Sequence, residues 1–238
     1  MSDTLSVTTF GITISREDIG DNKYPRKEAL NCLVEEAKKC AEYMMSDNLG
    51  KKLGKLAEYV TLGIDSYKEK VSTTQNYISQ PHGEFVFLMS LKNNRVYWTG
   101  KSYPTSSQQS GLVRISDLTT HFFDLDGAGK TMVLGCHDLT MFNPRSRNAK
   151  GWRLEVNEQF KELARKQNPV CVLHHPHTTV KRRTWLNAWS NLGRILPTVR
   201  YYAGAGRYFE PHRDRSDWDT LTDVLSSTKH GNTLDIIV

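Results

Sequence analysis

The chain has 238 residues, of which 38% are hydrophobic and 24% are charged, and its formal net charge is +6 at pH 7. That hydrophobic share suffices for a packed core, whereas the sequence has no run of about 18 apolar residues that would span a membrane. The basic residues are spread along the chain, which favours a solvated surface over a nucleic-acid site. The N-terminal segment lacks a basic flank and an apolar signal core, so we expect a cytoplasmic protein.

The first part of the chain predicts strands around an amphipathic helix. Residues 5–14 are β-rich and are expected to open a sheet. Residues 27–45 place their apolar side chains on one stripe, as a surface helix does. Residues 57–67 are typical of a buried strand that ends at Asp65, and the polar residues 68–82 predict a loop.

A predicted hairpin follows and leads to a lysine. Residues 84–98 are typical of two strands joined at Asn93 and Asn94, because asparagine tolerates the positive φ of tight turns. The chain then enters the irregular segment "TGKSYP", which places Lys101 just beyond the second strand.

The second part of the chain alternates strands and helices. The stretch "KTMVLGCHDL" predicts a turn-flanked apolar strand that ends at Gly135, directly before Cys136. Helices and strands are then expected in alternation, at residues 157–167, 169–175, 184–196, 198–206, 217–227 and 233–238. This alternation favours an α/β fold with helices covering a sheet, in a single domain of residues 1–238.

Reactive side chains follow the ends of several predicted strands. Asp65, Lys101 and Cys136 occur in that order along the chain. Ligands of layered α/β proteins tend to bind beyond strand ends, so these residues are candidates for one site. A cysteine thiolate attacks carbonyl carbon, a carboxylate takes the thiol proton and later activates water, and an ammonium group stabilises the oxyanion.

Three motifs follow one another along the chain, "YVTLGIDSY", "RVYWTGKSYP" and "MVLGCHDL", and a helix, a strand and a Trp-containing segment come after them. In the order and spacing of these motifs, the chain resembles the nitrilase (carbon–nitrogen hydrolase) superfamily. The resemblance implies a layered αββα sandwich and a hydrolase of amide-type C–N bonds. Cys136 would be its nucleophile, Lys101 its charge-stabilising residue, and Asp65 would stand in for the family's glutamate as general base. The backbone of His137 would donate to the oxyanion.

Further expectations concern the substrate and the assembly. The resemblance implies a small-molecule substrate, no cofactor, and a homo-oligomer or a place in a larger assembly. The candidates for substrate binding are His137, His175, His177 and Arg145. Structural interpretations stand beside these: a cysteine at a strand end is ordinarily a packing residue, Asp65 can cap a turn, and Arg145 can be a solvated turn residue.

Other functions stay open from the sequence. A group of residues has the ligand types of a zinc, iron or manganese site: His137, Asp138, His174, His175 and His177. There, a metal-bound water would hydrolyse a phosphoester or an amide, although no HExxH or paired CxxC motif accompanies the group. Aspartate in place of glutamate, with a given sequence that ends at the predicted strand 233–238, also keeps open a catalytically inactive module that binds a ligand or a protein partner.

Overall fold

A computed structural model describes residues 2–5, 27–65, 83–105, 112–176 and 182–204. They belong to two compact units, Met1–Asp117 and Leu118–Val238. Each unit contains a four-stranded sheet together with helices, which confirms the predicted α/β class. Within the described ranges, no helix has both the length and the apolar character needed to cross a membrane.

The first unit is built on a mixed sheet. Its strands lie in the order β1-β2-β3-β4, with β1 parallel to β2 and the other neighbours antiparallel. The elements are β1 (Ser2–Leu5), α1 (Lys27–Met45), α2 (Asp47–Gly54), β2 (Tyr59–Asp65), β3 (Glu84–Ser90) and β4 (Arg95–Gly100).

The predicted helix over residues 27–45 and the predicted strand ending at Asp65 are both confirmed, as is the hairpin. The strand expected over residues 5–14 and the loop expected over residues 68–82 lie outside the described residues, apart from residue 5. The short helix α2 was not predicted, because its sequence "DNLGKKLG" contains two glycines, which are poor helix formers.

The apolar stripe of α1 covers one face of this sheet. Val34, Ala37 and Ala41 recur at helical spacing, and all are buried. They belong to the same core cluster as Ile64 of β2 and Phe85 of β3. Since successive residues of a strand project to opposite faces, the neighbours of these core residues lie on the face away from α1.

The second unit carries a sheet in the order β5-β6-β7-β8, with β5 antiparallel to β6 and the other neighbours parallel. Its strands are β5 (Phe122–Leu125), β6 (Gly129–Gly135), β7 (Cys171–His175) and β8 (Tyr201–Gly204). Its α-helices are α3 (Trp152–Gln167) and α4 (Arg182–Ile195), and three 3₁₀ helices span Leu118–His121, Asp138–Phe142 and Pro144–Asn148.

Two details of the second unit differ from the sequence prediction. A strand, β5, precedes β6 where only a turn was expected; Gly127 and Gly129, both with a φ of +74°, form the tight connection. The helix α3 begins at Trp152, five residues before the predicted start at residue 157. The helix and strand expected over residues 217–227 and 233–238 lie outside the described residues.

Aromatic side chains fill the core of this unit. The ring of Phe160, on α3, lies 6.0 Å from that of Phe142 and 5.0 Å from that of His121, both in edge-to-face contact. On α4, Trp185 and Trp189 are both buried, which confirms the predicted helical face. These contacts fix the helices that adjoin the segment after β6.

Candidate active site

The strand register of the first unit places charged residues in one row at the end of the sheet. Asp65 pairs directly with Glu84. One residue beyond β4, the backbone N–H of Lys101 donates to the carbonyl oxygen of Glu84 at 2.9 Å. Directly paired residues project from the same face of a sheet, so Asp65, Glu84 and Lys101 form a continuous row on the face away from α1.

The lysine of this row is buried in an ion pair. Lys101 Nζ donates to Glu84 Oε2 at 2.7 Å, and the two side chains are only 2% and 5% exposed. Removing both charges from water is unfavourable, and such a pair persists only where the partners match closely in geometry. Lys101 is therefore not an ordinary exposed loop lysine.

The backbone around Lys101 is fixed by close contacts. A Cβ at Gly100 would lie 2.6 Å from the carbonyl oxygen of Glu84, so only glycine permits this close approach of β4 to β3. The carbonyl oxygen of Lys101 accepts from the N–H of Ile115 at 3.2 Å, and Ser102 Oγ donates to the carbonyl oxygen of Ile115 at 2.7 Å. The segment "TGKSYP", which the sequence predicts to be irregular, is thus held by contacts with Glu84 and by hydrogen bonds with Ile115.

Glu84 was not among the candidates from the sequence. Its signal was a carboxylate at the start of a strand whose residues are all buried, "EFVFLMS". A charged residue at such a position requires a partner of opposite charge. In the structure, Lys101 is such a partner.

In the second unit, Cys136 directly follows β6, as predicted, and the residue is 4% exposed. Buried side chains hold the backbone on either side of it. Asp138 Oδ2 accepts from the N–H of Gly135 at 3.0 Å, and His174 Nε2 lies 2.9 Å from the carbonyl oxygen of Cys136. Asp138 and His174, which the sequence offered as metal ligands, therefore bind the backbone around the cysteine.

Asparagine side chains connect the turns after Cys136 to α4. Asn143 Oδ1 accepts from the N–H of Arg145 at 2.9 Å, while Asn143 Nδ2 donates to the carbonyl oxygen of Thr184 at 2.8 Å. Asn191 Nδ2 donates to the carbonyl oxygen of Phe142 at 2.7 Å. Both 3₁₀ helices downstream of the cysteine are thereby tied to the same α-helix.

The remaining candidates lie in different surroundings. His137 is half-buried, and Arg145 is exposed on the 3₁₀ helix Pro144–Asn148. His175 is buried at the end of β7; as the neighbour of His174 in the strand, it projects to the opposite face. His177 lies outside the described residues.

Within the described ranges, no cluster of three or more His, Cys, Asp or Glu side chains is placed to hold a metal ion.

Two further cysteines of the described residues, Cys40 and Cys171, are partly buried, whereas Cys136 is buried. Burial raises the pKa of the Cys40 thiol. Burial also raises the pKa of the Cys171 thiol, against a smaller opposing effect of a hydrogen bond with the Thr131 side chain. These two thiols are therefore poorly ionised at neutral pH.

A lysine on α3 has an unusual electrostatic environment. Burial, followed by the charges of Arg147 and Arg165, lowers the pKa of Lys161 from 10.5 to about 8, against a smaller opposing effect of Glu158. Its Nζ donates to Ser146 Oγ at 3.1 Å. Between about pH 8 and pH 10.5 the unfolded chain binds more protons at this lysine than the folded chain does, so its contribution to stability rises with pH in that window.

We therefore expect Lys161→Met to raise the free energy of unfolding at pH 7, with a gain that shrinks as the pH approaches 10. Urea denaturation at several pH values measures this difference. Lys166→Met, which removes an exposed charge from the same helix, is the matched control. An identical pH dependence in the two variants would show that the surroundings of Lys161 have no special effect.

No family model matches the chain, and no curated protein matches its sequence. The solved structures with a similar fold include amidases. An amidase from Nesterenkonia sp. AN1, with acrylamide added to its active-site cysteine, is 9% identical with a TM-score of 0.40, over 69% of this chain and 59% of that one. An N-terminal amidase with a Gln-Val peptide is 13% identical with a TM-score of 0.33, over 62% of this chain and 35% of that one. The chain thus matches less than two thirds of the length of either protein, and a likeness at this level assigns no activity.

Proposed function

We propose that the chain is a divergent nitrilase-like protein that hydrolyses an amide-type C–N bond through the thiolate of Cys136. The observation that supports it most is the buried pair of Lys101 with Glu84, in one row with Asp65. Burying charged groups costs free energy, so a charged pair that is kept in a buried position is a candidate for a functional role. The row supplies the ammonium and carboxylate groups that such a hydrolysis needs.

The reaction divides into two steps. In the first, Asp65 takes the proton of Cys136, the sulfur attacks the amide carbon, and the C–N bond breaks as the proton passes to the leaving amine. In the second, Asp65 takes a proton from water, the hydroxide attacks the thioester, and the carboxylic acid leaves as the thiol is reprotonated. The Lys101 ammonium stabilises the oxyanion in both steps.

The two carboxylates of the row receive different roles. Glu84 binds the Lys101 ammonium and keeps the lysine in place. The base role is assigned to Asp65 by the resemblance in motif order, in which Asp65 stands in for the family's glutamate.

The proposal extends to the substrate and the setting of the protein. The substrate is a small-molecule amide, with His137, His175, His177 and Arg145 as candidates for binding it. The protein works in the cytoplasm, without a cofactor, as a homo-oligomer or as part of a larger assembly. The family resemblance in the order of the motifs supports the substrate class and the assembly.

Treatment with iodoacetamide, itself a small amide, at pH 7 tests the nucleophile. Peptide mapping by mass spectrometry should show Cys136 alkylated about 10-fold faster than Cys40 or Cys171, because only an activated thiol is appreciably ionised at this pH. In parallel, ammonia release is measured over a panel of small primary amides.

Cys136→Ala is the control for both measurements. It should abolish ammonia release while leaving the labelling of Cys40 and Cys171 unchanged. Equal labelling of all thiols, together with no ammonia release from any amide of the panel, would contradict the proposed function.

A further inference from the structure

His174 occupies an apolar pocket of the second unit. The residue is 1% exposed, and its ring lies 4.7 Å from the ring of Trp185 and 5.8 Å from that of Trp189. Its Nε2 lies 2.9 Å from the carbonyl oxygen of Cys136. A carbonyl oxygen can only accept, so Nε2 carries the proton and donates it in this bond. The tryptophan rings therefore hold a donor against the peptide group that follows the cysteine.

That peptide group has a fixed internal geometry. The described residues contain no cis peptide bond, and a trans peptide is planar, with its C=O and N–H directed to opposite sides. An anchor on the oxygen of Cys136 thus also sets the direction of the N–H of His137, which points away from the His174 ring. The N–H of the residue after a nucleophile is a common donor to the oxyanion of acyl transfer.

We propose that His174 is a positioning residue, which holds the Cys136 carbonyl so that the His137 N–H is aimed at the oxyanion formed when Cys136 attacks a substrate. This inference rests on the proposed function. In this role His174 acts on the peptide group of Cys136 and not on the substrate. It acts through the peptide plane, in place of the metal-ligand role that the sequence had left open.

The surroundings of Cys136 favour positioning over mere packing. The N–H of Gly135, on the other side of the cysteine, is bound by the wholly buried Asp138 carboxylate. Side chains thus hold peptide groups both before and after the cysteine. A preorganised donor stabilises a transition state more than one that must reorient during the reaction. A phenylalanine at 174 would fill the same aromatic pocket but would leave the carbonyl without this donor.

Two reagents that act on one thiol test this role. p-Nitrophenyl acetate acylates a cysteine through a tetrahedral oxyanion and releases p-nitrophenolate, whereas iodoacetamide alkylates it by direct displacement without an oxyanion. We expect His174→Phe to slow acylation of Cys136 by about 10-fold or more, since loss of an oxyanion donor itself slows reactions by roughly 100- to 1,000-fold. Alkylation should stay within about twofold of the wild-type rate, because it needs no oxyanion donor.

Amide variants provide the rescue and guard against misfolding. His174→Gln keeps an N–H that reaches the carbonyl and should recover part of the acylation rate, whereas the shorter His174→Asn should not. The comparison of His174→Gln with His174→Asn tests the positioning role even where His174→Phe fails to fold. Near-UV circular dichroism checks the fold of each variant.

The outcomes separate this inference from the proposed function. Failure of p-nitrophenyl acetate to acylate Cys136 in the wild-type protein would overturn both. Acylation in the wild type, with either no change or an equal loss of both rates in the variants, would overturn the role of His174 alone.

Discussion

Lys101→Met is expected to lower the free energy of unfolding by about 3–5 kcal/mol, because it leaves the Glu84 carboxylate buried without its lysine. Urea denaturation at pH 7, followed by circular dichroism, measures the change. The size of the effect follows from burial, since a carboxylate left behind in an apolar environment must either become protonated or draw in water.

The double variant Lys101→Met/Glu84→Leu separates the charge effect from packing. It should recover much of the lost stability, because apolar side chains that replace both members of a buried pair are often neutral or stabilising. The matched control is Lys92→Met, which breaks an exposed pair with Glu58 (3.6 Å, with side chains 68% and 41% exposed). An exposed pair contributes about 0–1 kcal/mol. A loss in Lys101→Met no larger than in this control would show that the pair is not buried in solution.

Asp65→Asn is expected to slow hydrolysis by about 100- to 10,000-fold, which is the usual contribution of a general base. The side chain is half-buried at the end of β2, and asparagine has the same shape. Steady-state hydrolysis of p-nitrophenyl acetate measures the loss, and thermal unfolding should change little.

Control variants distinguish the two carboxylates. Asp124→Asn, which removes an exposed aspartate of the second unit, should leave the rate unchanged. Glu84→Gln should lower both stability and rate, because it weakens the hold on Lys101. Full activity in Asp65→Asn combined with a large loss in Glu84→Gln would transfer the base role to Glu84.

Hydrophobic periodicity could predict the hairpin but not its register. A two-residue turn at residues 93–94 would place Lys101 opposite Val86. In the structure the loop comprises the four residues 91–94, which shifts the pairing by two and brings Glu84 opposite Lys101. A shift of two leaves every side chain on the same face of the sheet. The buried pattern is therefore identical for both registers, and the ion pair could not be derived from it.

The histidines illustrate a different limit. The helical spacing of Trp185 and Trp189 correctly predicted a buried face on α4. Tertiary packing decides which residue contacts that face. Two consecutive histidines in a strand project to opposite faces of the sheet, so the sequence alone does not tell which of them packs against α4. The ring contacts of His174 with the tryptophans, together with its bond to the Cys136 carbonyl oxygen, distinguish an anchored core histidine from a metal ligand.

Gly100 imposes an evolutionary constraint that its position in the chain conceals. It has no side chain that could carry a charge or take part in a reaction, and in the sequence it resembles any glycine of a surface loop. Yet one added carbon would stand 2.6 Å from the Glu84 carbonyl oxygen and force apart the strand ends that carry the buried pair. Substitution at this position is thus restricted because it would disrupt the pair of Glu84 and Lys101, and we expect relatives that keep the pair to keep the glycine as well.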